Sequence, residues 1–157
     1  MNGDLQLVVF WLGELRYALP LAVVERVVQA VELTPLPGAP DLVRGVINVQ
    51  GRIVPVFDTR RRFALPERDI RLADHMVLAR TAARTVVLLV DSVEGLLQCA
   101  ASDATPVAQV WPGIGLIAGV VKRSDGLILI DDLDAFLSAD EQRAMEQALT
   151  GTETRTP

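Results

Sequence analysis

The sequence predicts an all-β protein in which two small barrels pack side by side, with a short helix at the C-terminus. Eight short runs of aliphatic and β-branched residues are separated by turn signals, the pattern of strands joined by hairpins. Several runs are apolar throughout, which indicates burial on both faces. A sequence pattern also occurs twice, about 74 residues apart. Four or five short strands in each copy suffice for a small barrel.

The repeat is clearest in two segments, 45–58 and 119–131. Each begins with Gly and two β-branched residues, continues through a polar turn ending in Gly, and closes with an apolar run and Asp. The repeat divides a single domain, 1–157, into approximate halves 5–73 and 74–138. The alternative interpretation is a chance similarity between two hairpins with glycine turns.

Turn and cap signals set the element boundaries. The pairs Gly13-Glu14, Gln50-Gly51 and Asp125-Gly126 are typical of tight turns between hairpin strands. A capping box over 138–141 predicts a helix at 138–149. The predicted strands cover residues 5–12, 17–21, 45–49, 53–57, 75–79, 85–90, 116–121 and 127–130.

Three valines near the N-terminus allow two interpretations. Val24, Val27 and Val28 follow a helix-like spacing in a stretch too short to bury itself unaided. They are either ordinary core residues or part of an exposed apolar patch of the kind that marks an interaction site. The segment 23–27 also resembles 90–94, which supports the repeat.

The composition favours a compact domain and excludes several other classes. Half of the residues are hydrophobic and 22% are charged, so disorder is excluded as the main state. The single cysteine, Cys99, excludes an intramolecular disulfide. Residues 1–4 carry no basic side chain ahead of the first apolar run, so no signal peptide is expected. Because no apolar run approaches the about 18 residues of a membrane span, we expect a cytoplasmic protein without direct membrane insertion.

The sequence gives no positive evidence for catalysis, a cofactor or a metal. His75 begins an apolar run without a nucleophile motif, and Cys99 lies among small residues without a basic neighbour. Asp131, Asp132 and Asp134 lack the Gly and Glu that a calcium-binding loop requires. We expect these aspartates to precede a short helix instead, where its positive N-terminal end favours them.

Charge is unevenly distributed along the chain. The net charge is −5, yet residues 44–71 contain seven arginines and only three acidic residues. This basic segment either meets an anionic partner or is a solvated loop. A rival to a protein-binding role is a small-barrel binder of nucleic acid or a small ligand that uses this segment. The segment holds only two aromatic residues, Phe57 and Phe63, which disfavours base stacking, so no nucleic-acid partner is expected.

The central hairpin and its flanks resemble the CheW family of bacterial chemotaxis coupling proteins. Residues 37–40 and 45–60 are similar to the family patterns P-x-A-P and G-V-x-N-L-R-G-x-I-x-P-V-x-D-L-R. The resemblance covers about residues 5–138. Departures occur at Val49-Gln50 and Thr59, and Arg26 stands where an acidic residue is common. They touch the expected partner surfaces, so partner choice can differ from that of a flagellar pathway.

The resemblance implies two five-stranded SH3-like barrels and a noncatalytic adaptor. Family members bridge the cytoplasmic tip of chemoreceptors and the regulatory domain of the histidine kinase CheA. These would be the partners here, and the protein would associate with membrane-bound chemoreceptor arrays. Carried over by position, the receptor groove between the barrels would include Val24, Val27, Arg60 and Val86. Residues that would shape the hairpin rather than touch a partner are Gly45, Asn48, Gly51, Pro55 and Asp58.

Overall fold

A computed structural model describes residues 4–106 and 117–154 of the chain. Within these ranges there are eleven strands, a short and a long α-helix, and three single-turn 3-10 helices at Leu21–Val23, Ala101–Asp103 and Leu133–Ala135. The strands are β1 (Asp4–Leu12), β2 (Leu15–Pro20), β3 (Val24–Gln29), β4 (Val43–Val49), β5 (Arg52–Phe57), β6 (His75–Arg80), β7 (Thr85–Val90), β8 (Ser92–Ala100), β9 (Ala104–Pro106), β10 (Ile117–Arg123) and β11 (Gly126–Asp131). The α-helices are α1 (Thr59–Arg62) and α2 (Ala139–Thr154).

The described strands form two sheets. One has six strands in the order β8-β1-β2-β11-β10-β9, and the other has five in the order β3-β6-β7-β5-β4. Neighbouring strands run antiparallel except at β2–β11 and β5–β7, which are parallel. The predicted all-β class, with two small β units and a C-terminal helix, is confirmed.

The two sheets exchange hairpins between the halves of the chain. The β1–β2 hairpin lies between β8 and β11, whereas the β6–β7 hairpin lies between β3 and β5. Strands β1 to β5 thus occupy the same relative places as β6, β7, β8, β10 and β11. The repeat reappears in the topology, but each sheet takes strands from both of the expected halves, 5–73 and 74–138. A hairpin can be exchanged as a unit because its two strands hydrogen-bond to each other.

Apolar side chains fill each sheet's own interior and the junction between the sheets. One buried cluster lies within the six-stranded sheet and a second within the five-stranded sheet. A larger third cluster joins both sheets to α2. In β7, Val86, Leu88 and Val90 face the junction while Val87 faces its own sheet's cluster. The run is therefore buried on both faces, as its lack of alternation predicts, and each such side chain contributes about 1.5–3 kcal/mol.

The helix-like interpretation of Val24, Val27 and Val28 is wrong, because these valines lie in strand β3. Val24 is opposite Ala79 and Arg26 is opposite Leu78, so Glu25 is the extra residue of a β-bulge. The bulge brings Val24 and Val27 to the same face at a spacing of three residues. A strand with this spacing looks like a helix in the sequence.

Two other strands were not predicted, and one turn is shifted. Strand β8 carries an equivalent bulge at Glu94, which breaks its alternation, and β9 has only three residues. Gly13-Glu14 and Gln50-Gly51 form turns as predicted. In the third hairpin Arg123 pairs with Gly126, so the turn is Ser124-Asp125. The predicted strand 116–121 begins at residue 116, which lies outside the described residues.

The C-terminal helix begins as predicted and extends further. The hydroxyl of Ser138 accepts a hydrogen bond from the backbone N–H of Glu141 at 3.1 Å, and the Glu141 carboxylate accepts one from Ser138 N–H at 2.9 Å. Met145 and Leu149 are buried in the junction cluster, which fixes α2 against both sheets. The helix continues to Thr154 rather than ending at residue 149.

Candidate partner-binding surface

The β4–β5 hairpin is shaped by the residues expected to shape it. A Cβ at Gly45 would lie 2.6 Å from the carbonyl oxygen of Thr34, so the close approach of that loop requires glycine. Asn48 Oδ1 accepts from Gly51 N–H at 2.8 Å across the turn, where the φ of Gly51 is 86°. Pro55 is opposite Val46 inside the hairpin. These contacts are internal to the protein.

Asp58 ends the hairpin and begins α1. Its carboxylate accepts a hydrogen bond from Arg61 N–H at 3.0 Å, which caps the helix, and lies 3.4 Å from the guanidinium of Arg44. The cap places the next residues of α1, including Arg60, beside the end of β7.

Val24 and Val27 differ from Val86 in access to solvent. Val27 is 38% exposed and Val24 is half-buried, and both lie on β3, an edge strand of the five-stranded sheet. Val86, by contrast, is 1% exposed and packs in the junction cluster. The expectation that Val86 lines a receptor groove is therefore corrected. The Val86 side chain packs between the two sheets and is not accessible to a partner.

Arg60 makes its contacts within the protein. Its guanidinium donates to both carboxylate oxygens of Asp91, at 3.2 and 2.5 Å, and to the carbonyl oxygen of Pro66 at 2.9 Å. Asp91 also accepts from the backbone N–H of Gly13 and from Arg68. Burial alone would raise the pKa of Asp91, but the hydrogen bonds from Arg60 and Gly13 hold it below its ordinary value. Arg60 therefore ties α1 to the β1–β2 turn and to the loop before β6.

The basic segment 44–71 is neutralised by acidic residues from other parts of the chain. Each of its seven arginines forms an ion pair with a described carboxylate. Several partners lie far away in the sequence, among them Glu25, Asp91 and Glu141. The positive charge of the segment is therefore met by carboxylates of this protein, although Arg52, Arg61 and Arg71 stay exposed to solvent.

The candidate chemical residues lie in structural positions. His75 begins β6, and Cys99 is buried in β8, where burial raises the pKa of its thiol. Asp134 lies in the first turn of the 3-10 helix 133–135. Asp131 precedes this 3-10 helix, but it is 3% exposed, and neither of its carboxylate oxygens has a hydrogen-bond partner among the described residues. Across residues 4–106 and 117–154, no group of three or more His, Cys, Asp or Glu is placed to hold a metal ion.

Comparison with known proteins identifies the family. The CheW-like domain profile matches residues 6–141, which is most of the chain. The chain belongs to the CheW family.

Curated and solved relatives agree with the CheW assignment. The chain is 28% identical over 146 residues to chemotaxis protein CheW of Treponema pallidum, covering 89% of this chain and 86% of that protein. It is 26% identical to chemotaxis protein CheW of Rhizobium meliloti, covering 91% and 94%. The crystal structure of the scaffolding protein TtCheW from Thermoanaerobacter tengcongensis superposes with a TM-score of 0.79 at 26% identity, covering 88% of this chain and 96% of that one.

Membership of the CheW family makes the chain a chemotaxis adaptor with signalling proteins as partners. No helix among the described residues is long and apolar enough to cross a membrane. The residues that sequence reasoning missed for this surface are Asp91 and Arg68. Asp91 lies 31 residues from Arg60 and 23 residues from Arg68, so no local sequence pattern indicates that these side chains meet.

Proposed function

We propose that this CheW-family chain couples chemoreceptors to the histidine kinase CheA without catalysing a reaction or holding a cofactor. In this proposal it acts in the cytoplasm, at membrane-bound receptor arrays, and binds the receptor tip and the regulatory domain of the kinase. The observation that carries the proposal is the partly exposed Val27 at the open edge of β3, beside the junction of the two sheets. An apolar side chain at an open sheet edge is suited to pack against a partner helix.

Val24 and Val27 form the apolar part of the proposed receptor surface. They lie on one face of β3 because of the bulge at Glu25. Arg60 contributes by holding α1, Asp91 and the neighbouring loop in place, since its guanidinium is occupied by internal acceptors. The proposed surface thus combines two contact residues with one positioning residue.

The test is a Val27→Gln variant measured against a matched control. Leu96 provides the control because it occupies the place on β8 that Val27 occupies on β3, two residues after the bulge residue, Glu94. Leu96 is 60% exposed. Binding of the purified protein to a chemoreceptor tip fragment and to the CheA regulatory domain, both from the source genome, is measured by calorimetry. We expect about tenfold weaker receptor binding for Val27→Gln, within the range of a central interface residue, and unchanged receptor binding for Leu96→Gln.

Two results would contradict the proposal. Failure of the parent protein to bind either partner would refute the coupling function itself. Equal receptor affinities of the parent and Val27→Gln, with both proteins folded, would refute the assignment of the surface while leaving the function intact.

A further inference from the structure

Arginine side chains surround one end of the five-stranded sheet. Arg52 is the first residue of β5 and Arg80 the last of β6. Val54 and Leu78, two residues from Arg52 and Arg80 respectively, belong to the buried cluster of this sheet. Because side chains two residues apart lie on the same face of a strand, Arg52 and Arg80 lie on the face that carries this cluster, at the end of their strands. Arg26 of β3 is opposite Leu78 and joins them there. We call Arg26, Arg52 and Arg80 the arginine rim.

One carboxylate offsets only part of this positive charge. Glu25, the bulged residue of β3, accepts a hydrogen bond from the Thr85 hydroxyl at 2.5 Å and lies 3.4 Å from the guanidinium of Arg52. The hydrogen bond from Thr85, together with Arg52 and Arg80, lowers the pKa of Glu25. Glu25 therefore stays ionised and is committed to Thr85 and Arg52.

Two of the three arginines remain available. Arg26 and Arg80 are exposed, and neither forms an ion pair with any residue in the described part of the chain. This distinguishes them from the seven arginines of 44–71, each of which has an internal acidic partner. The rim thus carries unpaired positive charge on a protein whose net charge is −5.

At the equivalent end of the six-stranded sheet, two carboxylates lie close to Arg16, and one of them, Asp125, is also near the exposed Arg123. Arg16 is buried there between Asp125, at 2.7 Å, and Glu94, at 3.6 Å, and its guanidinium lies 5.6 Å from the Trp11 ring centre. Glu94 is the bulge residue of β8, as Glu25 is of β3. The two ends share a fold but differ in charge, so the free positive charge at the rim is not required by the architecture.

We propose that the arginine rim binds an acidic segment of a partner protein, with carboxylates of that segment meeting Arg26 and Arg80. A guanidinium presents a planar fork that matches a carboxylate. A protein segment fits better than nucleic acid or an anionic membrane, because the rest of this acidic chain repels an extended polyanion. The proposal rests on the coupling function, since the rim borders β3, which carries Val24 and Val27.

A peptide titration tests the rim directly. The ¹⁵N-labelled protein is titrated with hexaglutamate, and separately with inorganic phosphate at the same ionic strength, while the arginine Nε–Hε signals are followed. We expect hexaglutamate to shift the signals of Arg26, Arg52 and Arg80 while Arg123, an exposed arginine of the six-stranded sheet beside Asp125, stays unchanged. Absence of shifts, equal shifts at all exposed arginines, or larger shifts with phosphate would overturn the proposal.

A charge-matched pair of variants tests the rim in the complex. Arg26→Gln/Arg80→Gln removes two rim charges, and Arg123→Gln/Arg143→Gln removes two exposed charges elsewhere. We expect the rim variant to bind the receptor tip or the kinase domain about three- to tenfold more weakly at low salt, as for two exposed ion pairs. We also expect a smaller salt dependence of its binding, and no change for the control.

The outcomes separate the rim from the coupling function. If the parent binds a partner and the rim variant binds it equally tightly at low salt, the rim proposal is overturned and the coupling function stands. If the parent binds neither partner, the coupling function fails, and the hexaglutamate titration alone decides whether the rim accepts an acidic segment.

Discussion

The guanidinium of Arg60 donates three hydrogen bonds, and two of them reach a carboxylate 31 residues further along the chain. That carboxylate, Asp91, also receives the N–H of Gly13 and a guanidinium N–H of Arg68. Three separate segments therefore meet at a single acidic side chain. We therefore expect Arg60 to affect partner binding through this meeting point.

We predict that Arg60→Ala weakens both stability and receptor binding. The loss of charge-assisted hydrogen bonds lowers the free energy of unfolding by about 1.5–3 kcal/mol, and Arg60→Lys recovers part of it because lysine keeps the charge without the fork. Urea unfolding and receptor-tip affinity are the measurements. If Arg60 acts by positioning, Asp91→Asn weakens receptor binding as Arg60→Ala does. Normal receptor binding of Asp91→Asn alongside weak binding of Arg60→Ala would instead show direct contact.

Asp131 is predicted to destabilise the protein as the pH rises. Burial raises the pKa of this carboxyl well above its ordinary value, and no hydrogen bond from a described residue compensates. Because the folded state holds the proton more tightly than the unfolded state, this contribution favours folding below the unfolded pKa of about 3.9 and is lost as pH rises through the raised value. Asp131→Asn, which cannot ionise, is expected to stabilise the protein by at least about 1 kcal/mol at neutral pH.

The measurement is urea unfolding of both proteins between pH 5 and 8, and Asp58→Asn provides the contrast. Asp58 is also a buried aspartate near the end of a hairpin, but its carboxylate accepts the N–H of Arg61 and faces Arg44. We expect Asp58→Asn to lose stability where Asp131→Asn gains it. A constant difference between Asp131→Asn and the parent across this pH range would contradict the argument.

Helix α2 depends on the cap that the sequence predicts. Ser138→Ala removes the hydroxyl that accepts Glu141 N–H, and is expected to lower the free energy of unfolding by about 1 kcal/mol. Ser138→Asp retains an acceptor at this position and should keep most of the stability. Thermal unfolding by circular dichroism compares the three proteins. Equal midpoints for Ser138→Ala and the parent would show that packing of Met145 and Leu149 alone holds the helix.

Local patterns predicted elements where the pattern is uninterrupted and failed where it is broken. The run at β7 is apolar because both faces are buried, so its burial follows from the sequence. The bulges at Glu25 and Glu94 shift the alternation by one residue, which hid β3 and β8. Val27 was assigned to the receptor surface from the family resemblance and stays a prediction. The burial of Val86 depends on a second sheet that local sequence does not encode.

Long-range charge pairing was also beyond local sequence. The sequence shows that arginines are concentrated in 44–71, but it does not show which carboxylates they pair with. Three of the ion-pair partners, Glu25, Asp91 and Glu141, are distant in the sequence. Arg26 and Arg80, which are exposed and form no ion pair with a described residue, stand singly in the sequence, so no local cluster of charge marks them. Only the three-dimensional arrangement shows which positive charges remain for a partner.

The whole molecule is expected to unfold in one cooperative transition. Each sheet contains strands from both halves of the chain, and the junction cluster joins both sheets and α2. Unfolding of one sheet would therefore expose the apolar junction face of the other to water. Calorimetry should give equal calorimetric and van't Hoff enthalpies. Two resolved transitions would show that the sheets unfold independently.

The hairpin exchange also affects the chain while it is being synthesised. The β1–β2 hairpin is complete at residue 20, but its neighbours in the sheet, β8 and β11, end at residues 100 and 131. At about 5–20 residues per second, the ribosome supplies the last of these strands roughly 6–22 s later. During that interval the growing chain carries an apolar hairpin with two open edges, which are prone to pair with other chains. Although β1 and β2 are synthesised before every other described strand, they are among the last to be completed as part of a sheet.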